Sequence, residues 1–339
     1  MQSVIKALEK NDYSKETLSA ALQLEGLAQK QLFQLAQNKR DSHFPSQEVE
    51  IRSVIEISNV CLQKCNFCNI HASPKRNQYT LSAQDFSEIT EHLYSRGRRV
   101  ILVQSGENTG QNFIDLVSKC LMAATRKYPD ISFILCLGNL DYDQYKQLKD
   151  SGAQRYILKF ETSNPAVYRL NKPKDDLKIR LDCLNKIIDL GFEAGSGNIV
   201  GLPGQSLDDL VSDLLLISSF ELTMASSSVF VPGENSAYKD MPYGDINTTL
   251  NFMSLIRLMN PDLIIPSTSS LEKAKTGGQF RGILAGANSL TIHDGTPQNL
   301  KQSFPIYSLK RFIPDENYIN DMLDKANLRP AQKITCHSN

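Results

Sequence analysis

The chain has 339 residues, with 37 Lys+Arg against 37 Asp+Glu and a formal net charge of zero, which leaves no global field to draw in nucleic acid or an anionic membrane. At 41% hydrophobic and 22% charged it has the composition of a folded globular chain. Its seven Cys are an odd number in a chain too long to need disulfide staples, so the expected setting is the reducing cytoplasm, with thiols free or metal-bound.

The first residues, MQSVIKALEKNDYSKE, hold no uninterrupted apolar stretch, so no secretory signal is expected there. Nor does any apolar run reach the roughly 18 residues of a membrane-spanning helix. Over residues 1–48, Val4, Leu8, Leu18, Leu22, Leu24, Leu27, Leu32, Leu35 and Ala36 recur at threes and fours. That spacing predicts two or three short packed helices, broken near Asn11-Asp12 and Glu25-Gly26.

From residue 49 the pattern changes. Apolar, β-branched runs lie at Val54–Ile57, Val100–Val103, Ile131–Leu137, Tyr156–Phe160, Ile199–Leu202, Ser227–Val231 and Leu263–Ile265, with a weaker one near Ser289–Ile292. Between them, amphipathic stretches predict helices at Ser82–Arg96, Gln111–Tyr128, Asp141–Ser151, Asp176–Leu190, Ser206–Phe220, Asn247–Asn260 and Gly278–Ala285. Ser82 and Asp85 spell a capping box, and Gly97, Gly152 and Gly191 stand where helices end. About eight strand–helix repeats over roughly 250 residues predict an α/β fold, a (β/α)8 TIM-type barrel. The barrel is placed at 49–310, behind an N-terminal helical extension (1–48) and ahead of a C-terminal helical segment and tail (311–339). An open doubly wound sheet is the alternative. In a barrel, chemistry belongs at the C-terminal strand ends.

The first strand runs straight into Cys61-Leu-Gln-Lys-Cys65-Asn-Phe-Cys68, a C-x3-C-x2-C spacing. Three thiolates can hold three irons of a [4Fe–4S] cluster and leave the fourth iron open to a ligand. A structural zinc site would want a fourth ligand, and His71 is the candidate for that alternative. Cys120 and Cys183 fall on helical faces and read as small core hydrophobes. The second strand ends Ser105-Gly106-Glu107. The fourth ends Lys159-Phe-Glu161-Thr-Ser-Asn164-Pro165, where alternation puts Lys159 and Glu161 on one face and burial demands that they be paired or face a cavity.

These features resemble the radical S-adenosylmethionine (SAM) enzymes. Phe67 just before the last Cys, the SGE run, "LKxETxNP", Arg180-Leu-Asp-Cys183-Leu and Ala194-Gly-Ser-Gly197 through Gly201-Leu-Pro203-Gly-Gln are similar to the branch that holds biotin synthase, the hydrogenase maturase HydE and the methylornithine synthase PylB. HydE-like chains are the nearest in pattern, over about residues 50–300. The resemblance implies that Cys61, Cys65 and Cys68 hold a [4Fe–4S] cluster and that SAM is cleaved reductively to a 5′-deoxyadenosyl radical. It implies that Gly106 and Glu107 meet the SAM ammonium, Glu161 the ribose and Arg180 the carboxylate, with Phe67, Gly197 and Pro203 beside the cofactor. A small amino-acid-like or thioether substrate and a one-electron donor such as flavodoxin or ferredoxin follow, with no nucleic acid and no membrane as partner. A PylB-like carbon-skeleton mutase, or a non-radical zinc or iron–sulfur protein, is the alternative.

The substrate end is fainter. Thr268 and Ser269 end the seventh strand and are the substrate-side candidates, with Lys159 as a cationic partner and Glu234 as a carboxylate in a loop that departs from the HydE pattern. Asn288 and Thr291 are weaker candidates. Cys136 ends the third strand and could face inward as a hydrogen donor, although an inert buried thiol fits as well. A second cysteine trio seen in some HydE proteins is reduced here to Cys336, and the auxiliary-cluster ligands of biotin synthase are missing. An N-terminal helical cap over the mouth would suit a radical reaction, which must exclude water.

Overall fold

The computed structural model describes residues 2–72, 78–296 and 312–331; for His71 and Ala72 it describes the backbone alone. Three helices come first: α1 (Gln2–Glu9), α2 (Lys15–Leu22) and α3 (Gly26–His43). Strand β1 (Glu48–Ser58) leads to a short α4 (Asn69–Ala72), and then strands and helices alternate. They are α5 (Ala83–Ser95), β2 (Val100–Ser105), α6 (Gln111–Lys127), β3 (Ser132–Cys136), α7 (Tyr142–Asp150), β4 (Arg155–Ile157), α8 (Pro165–Asn171), α9 (Leu177–Asp189), β5 (Glu193–Val200) and α10 (Leu207–Ser219). After these come β6 (Met224–Val229), α11 (Ile246–Met259), β7 (Pro266–Ser267), α12 (Ser269–Ala274), α13 (Gly278–Leu284), β8 (Ser289–Ile292), α14 (Glu316–Asp324) and β9 (Arg329–Ala331).

The strands are parallel and ordered β6-β5-β4-β3-β2-β1-β8-β7. The ring closes between β6 and the segment leading into β7, where Ala225 N donates to Ile264 O at 3.1 Å and Ile264 N to Thr223 O at 2.9 Å. This is the expected (β/α)8 barrel. The capping box at Ser82 and Asp85 forms, and Gly97, Gly152 and Gly191 all have positive φ at helix ends.

Outward-facing Ile55, Ile57, Ile101, Val103, Phe133 and Leu135 pack against Phe86, Phe113, Val117 and Leu121 of the helices. Each such side chain contributes about 1.5–3 kcal/mol by burial. The inward face of β1 is different. Glu50, Arg52 and Glu56 alternate along it and are all buried. Arg52 Nε donates to Glu50 at 2.6 Å, Arg155 Nη1 reaches both Glu50 oxygens at 2.9 Å, and Arg155 Nε donates to Glu193 at 2.6 Å. These pairs explain why β1 begins six residues before the apolar run at Val54: charges inside a strand are tolerated when they are matched across the barrel.

Other boundaries also move. β5 begins at Glu193, ahead of the expected run at Ile199, because its Ala-Gly-Ser-Gly-Asn text carries no apolar signal. A Cβ at Gly197 would collide with the backbone of Ser226, so the small residues permit close approach of β5 to β6. β6 starts at Met224 rather than Ser227, and β7 shrinks to Pro266–Ser267. The helices α8 and α12 were not expected.

The N-terminal helices do not cap the mouth. Gln37 Nε2 donates to Leu284 O at 2.8 Å and Arg40 Nη1 to Ile283 O at 2.9 Å, just before β8, while Asn251 of α11 donates to Leu22 O and Leu24 O. They brace the flank and the N-terminal end of the barrel. Phe44, following α3, joins Val54, Val100, Leu102, Ile134, Met224 and Ile264 as an apolar plug inside it. At the other terminus, β9 pairs with Glu48–Glu50 of β1. Cys336 lies outside the described residues. No helix among the described residues is long and apolar enough to cross a membrane.

Candidate active site at the barrel mouth

The loop after β1 carries Cys61, Cys65 and Cys68 as thiols, all only partly exposed. Its path is fixed by main-chain bonds to the segments after β2 and β6 and to the end of α8. Leu62 N donates to Glu107 O at 2.8 Å, Asn66 N to Asn171 O at 2.9 Å, and Gly233 N to Phe67 O at 3.0 Å. Gly106 makes room for the loop, since a Cβ there would lie 2.7 Å from Cys61 Cβ. Burial pushes the Cys65 thiol well above its ordinary range, against the pull of the Lys172 ammonium. Burial also raises Cys61.

Beside this loop the charged residues form one network. Arg180, on the first turn of α9, donates through Nη1 to Asn139 Oδ1 at 2.9 Å and to Glu107 Oε2 at 3.2 Å, and through Nε to Lys159 O at 2.9 Å. Glu107 also accepts from Asn139 N at 3.0 Å and from Gln63 Nε2. Asp175 lies 2.7 Å from Lys172 Nζ and accepts from Tyr168 OH at 2.7 Å. Burial penalises the Asp175 charge, but Lys172 and Arg180 hold its carboxyl below the usual value. Lys172 and Asp175 escaped the sequence reading. Their signal was a run of charges between two helices, which usually marks a solvated turn.

Lys159 and Glu161 share a face as expected and pair at 3.1 Å. Glu161 has φ +65°, a rare conformation for a residue other than glycine, and forms an isolated bridge with Asn198 beyond the end of β4. Its backbone is held by Gly197 O and Ile199 N. Beneath it Asp213 accepts from Ser163 N at 2.6 Å, Asn198 Nδ2 at 2.9 Å and Gln205 Nε2 at 3.3 Å. Burial raises the Asp213 carboxyl to about 6. Pro203 stays outside the cavity lining, and its carbonyl accepts from Asn171 Nδ2 at 3.0 Å.

These elements surround a cavity of about 270 Å³ that reaches from Phe67, Cys68, Glu161 and Arg180 across to Thr268, Ser269 and Thr291. Lys159 and Cys136 also line it, and burial raises the Cys136 thiol to about 11. Asn288 does not reach the cavity: its Oδ1 accepts from Arg257 Nη2 and Ile265 N. Glu234 is exposed and lies outside the lining. Two further lining residues, Arg52 and His293, were missed. Arg52 belonged to a strand segment too charged to be read as a strand, and His293 was a single histidine with no motif around it.

A sequence model described as the Radical SAM superfamily matches residues 55–217. The chain is 31% identical over 308 residues to the [FeFe] hydrogenase maturase subunit HydE of Thermotoga maritima, covering 90% of this chain and 87% of that protein. It belongs to the radical SAM superfamily. Biotin synthase of Aquifex aeolicus is 24% identical, with 76% of this chain and 78% of that one covered. In fold, the crystal structure of methylornithine synthase (PylB) superposes with a TM-score of 0.82 over 97% of both chains at 20% identity.

As a radical SAM enzyme the protein uses a [4Fe–4S] cluster and SAM. The donors at the mouth suit that pair. Among the described residues no three His, Cys, Asp or Glu side chains converge on a single ion, while a cluster spreads its thiolates over separate corners and needs them wider apart. A lone thiolate in this half-buried loop is disfavoured, and the positive charge of coordinated iron reverses that preference. The zinc alternative rested on His71, whose side chain is outside the described set.

Proposed function

We propose that this radical SAM enzyme acts on a small amino-acid-like or thioether substrate held between the cysteine loop and the ends of β7 and β8. The observation that carries this reading is the cavity itself, with the cofactor-side groups and Lys159 on one wall and Thr268, Ser269 and Thr291 on the other. A volume of about 270 Å³ is on the scale of a small-molecule site.

Cys61, Cys65 and Cys68 would hold the cluster, which when bound would supply the electron for reductive cleavage of SAM. Arg180 offers a guanidinium fork to the SAM carboxylate. Glu107 serves the ammonium, and Gly106 lets the loop lie against β2. Glu161 takes the ribose hydroxyls, while Phe67 and the Gly197 backbone flank the nucleoside, with Pro203 shaping the loop behind them. Lys159, released in part from Glu161 when the ribose binds, faces a substrate carboxylate. Thr268 and Ser269 supply short polar contacts, and Cys136 stays a protonated wall thiol within reach of the cavity. The barrel unit runs from β1 to β8, and the enzyme works in the cytoplasm with flavodoxin or ferredoxin as electron donor.

The test is an anaerobic assay of reconstituted enzyme with SAM, reductant and a panel of carbon-deuterated amino acids and thioethers. Deuterium in 5′-deoxyadenosine identifies the substrate. Cleavage of SAM with no deuterium from any member of the panel rejects the proposed hydrogen abstraction, and a thioether consumed without deuterium transfer points to attack at sulfur.

A further inference from the structure

Helix α10 buries Leu210, Val211, Leu214 and Ile217, and among these aliphatic side chains stands Asp213, which is equally buried. Packing gives a carboxylate no reason to be there, and burial penalises its charge. Its partners supply the reason. Asp213 Oδ1 accepts from Ser163 N at 2.6 Å, and Oδ2 accepts from Asn198 Nδ2 at 2.9 Å and Gln205 Nε2 at 3.3 Å. One turn earlier on the same helix, Asp209 Oδ1 accepts from Asn164 Nδ2 at 2.8 Å.

The main chain settles the direction of these bonds. A backbone N–H such as that of Ser163 can only donate. The Gln205 amide is oriented by Gly201 N and Leu202 N, which donate to its Oε1 at 2.8 and 3.3 Å and leave Nε2 for Asp213. Both Asp213 oxygens are therefore acceptors. An asparagine would fill the same space with one acceptor and one amide NH2, and that NH2 would meet donors.

What the carboxylate joins is the backbone around Glu161. Glu161 N donates to Gly197 O at 3.0 Å and Ile199 N to Glu161 O at 2.9 Å, which bridges Glu161 to Asn198. Asp213 grips Asn198 on one side of that bridge and Ser163, two residues past Glu161, on the other. Between these two points Glu161 sits at φ +65°. A residue other than glycine keeps such a conformation only where its surroundings over-determine it. Asp213 does not line the cavity, whereas Glu161 does, 3.1 Å from Lys159.

We infer that Asp213 is a positioning residue of the cofactor wall: its carboxylate clamps both sides of the Glu161 bridge, holds that left-handed turn, and so sets where the Glu161 carboxylate meets SAM. This rests on the reading of Glu161 as the ribose ligand, and the test separates the two.

The test is a double-mutant cycle on SAM affinity, measured by equilibrium dialysis of labelled SAM against oxidised holoenzyme, with iron content and circular dichroism checked for each variant. Asp213→Asn is expected to weaken SAM binding about tenfold, roughly the worth of one hydrogen bond to a charged group. Glu161→Ala weakens it at least as far, and the double variant binds no more weakly than Glu161→Ala alone, because Asp213 acts through Glu161. Losses that multiply overturn the inference, as does an unchanged affinity in Asp213→Asn beside a weakened Glu161→Ala. If Glu161→Ala binds SAM as the wild type does, the ribose reading falls, and the crystal structure of Asp213→Asn decides the clamp. Glu161 displaced from the left-handed region upholds it, and φ retained near +65° overturns it. Should Asp213→Asn fail to fold, Asn198→Ala takes its place in both measurements, since it cuts the same clamp at the bridge and must show the same lack of additivity.

Discussion

On the cysteine side of the mouth, Arg180, Glu107, Lys172 and Asp175 make a continuous set of buried ion pairs. Across the cavity, Thr268, Ser269, Ser228 and Thr291 present neutral hydroxyls, backed by a single imidazole. The two walls are held by different forces. Buried charges are expensive to unpair, so the cofactor wall keeps one geometry or loses its stability. Hydroxyls rotate and exchange partners at small cost, so the substrate wall can be retuned residue by residue. A fixed cofactor beside an adjustable substrate is what such a division provides.

The sharpest way to break this comparison is on the cofactor wall. Cys65→Ala is expected to lower SAM cleavage at least about 1,000-fold, as removal of a whole reactive group does. Iron content should fall with it, while circular dichroism keeps the barrel signature; retained cleavage would disprove the ligand role. Arg180→Ala leaves Glu107 without a buried cation, while Asp175 keeps Lys172, and should cost about 3–5 kcal/mol in denaturant unfolding, because an uncompensated buried charge is the penalty.

Asp213, on α10, holds the segment after Glu161 through Ser163 N and the β5 residue Asn198. Its folded pKa of about 6 lies above the ordinary carboxyl value of 3.8. The folded state therefore binds more protons than the unfolded one between these values, and stability contributed by this group is full below about 4 and lost as pH rises through about 6. The loss is on the order of 2–3 kcal/mol. Unfolding measured at pH 4.5 and pH 7 should show this drop in wild type, and Asp213→Asn should flatten it. The smallest effect belongs to the substrate wall. Thr268→Val should lower the deuterium transferred per SAM cleaved by about tenfold, roughly the worth of one hydrogen bond. A loss of SAM cleavage itself would erase the distinction between the walls.

The same division governs what the sequence made visible. Cys61, Cys65 and Cys68 stand out because few other purposes gather thiols at that spacing. Lys159 and Glu161 stand out because charges at a strand end need a reason. Thr268 and Ser269 are ordinary turn residues, and only their position after a strand drew notice. Glu56 and His293 are 237 residues apart, and no local pattern links them. The inward charges of β1 were hidden by the rule that strands are apolar, which their pairing with Arg155 across the barrel overrides. The N-terminal helices were legible as helices, but which end of the barrel they would brace depends on contacts with residues near 251 and 285 that no helical periodicity encodes.

Strand β1 pairs with β2, β8 and β9. Its first residues, Glu48–Glu50, are secured by Arg329–Ala331, close to the far end of the chain. A ribosome releases β1 early and its last partner late. The strand that delivers the cysteine loop therefore completes its pairing only after β8 and β9 have been made. A chain stalled short of residue 329 would offer its thiols on a strand still missing one partner.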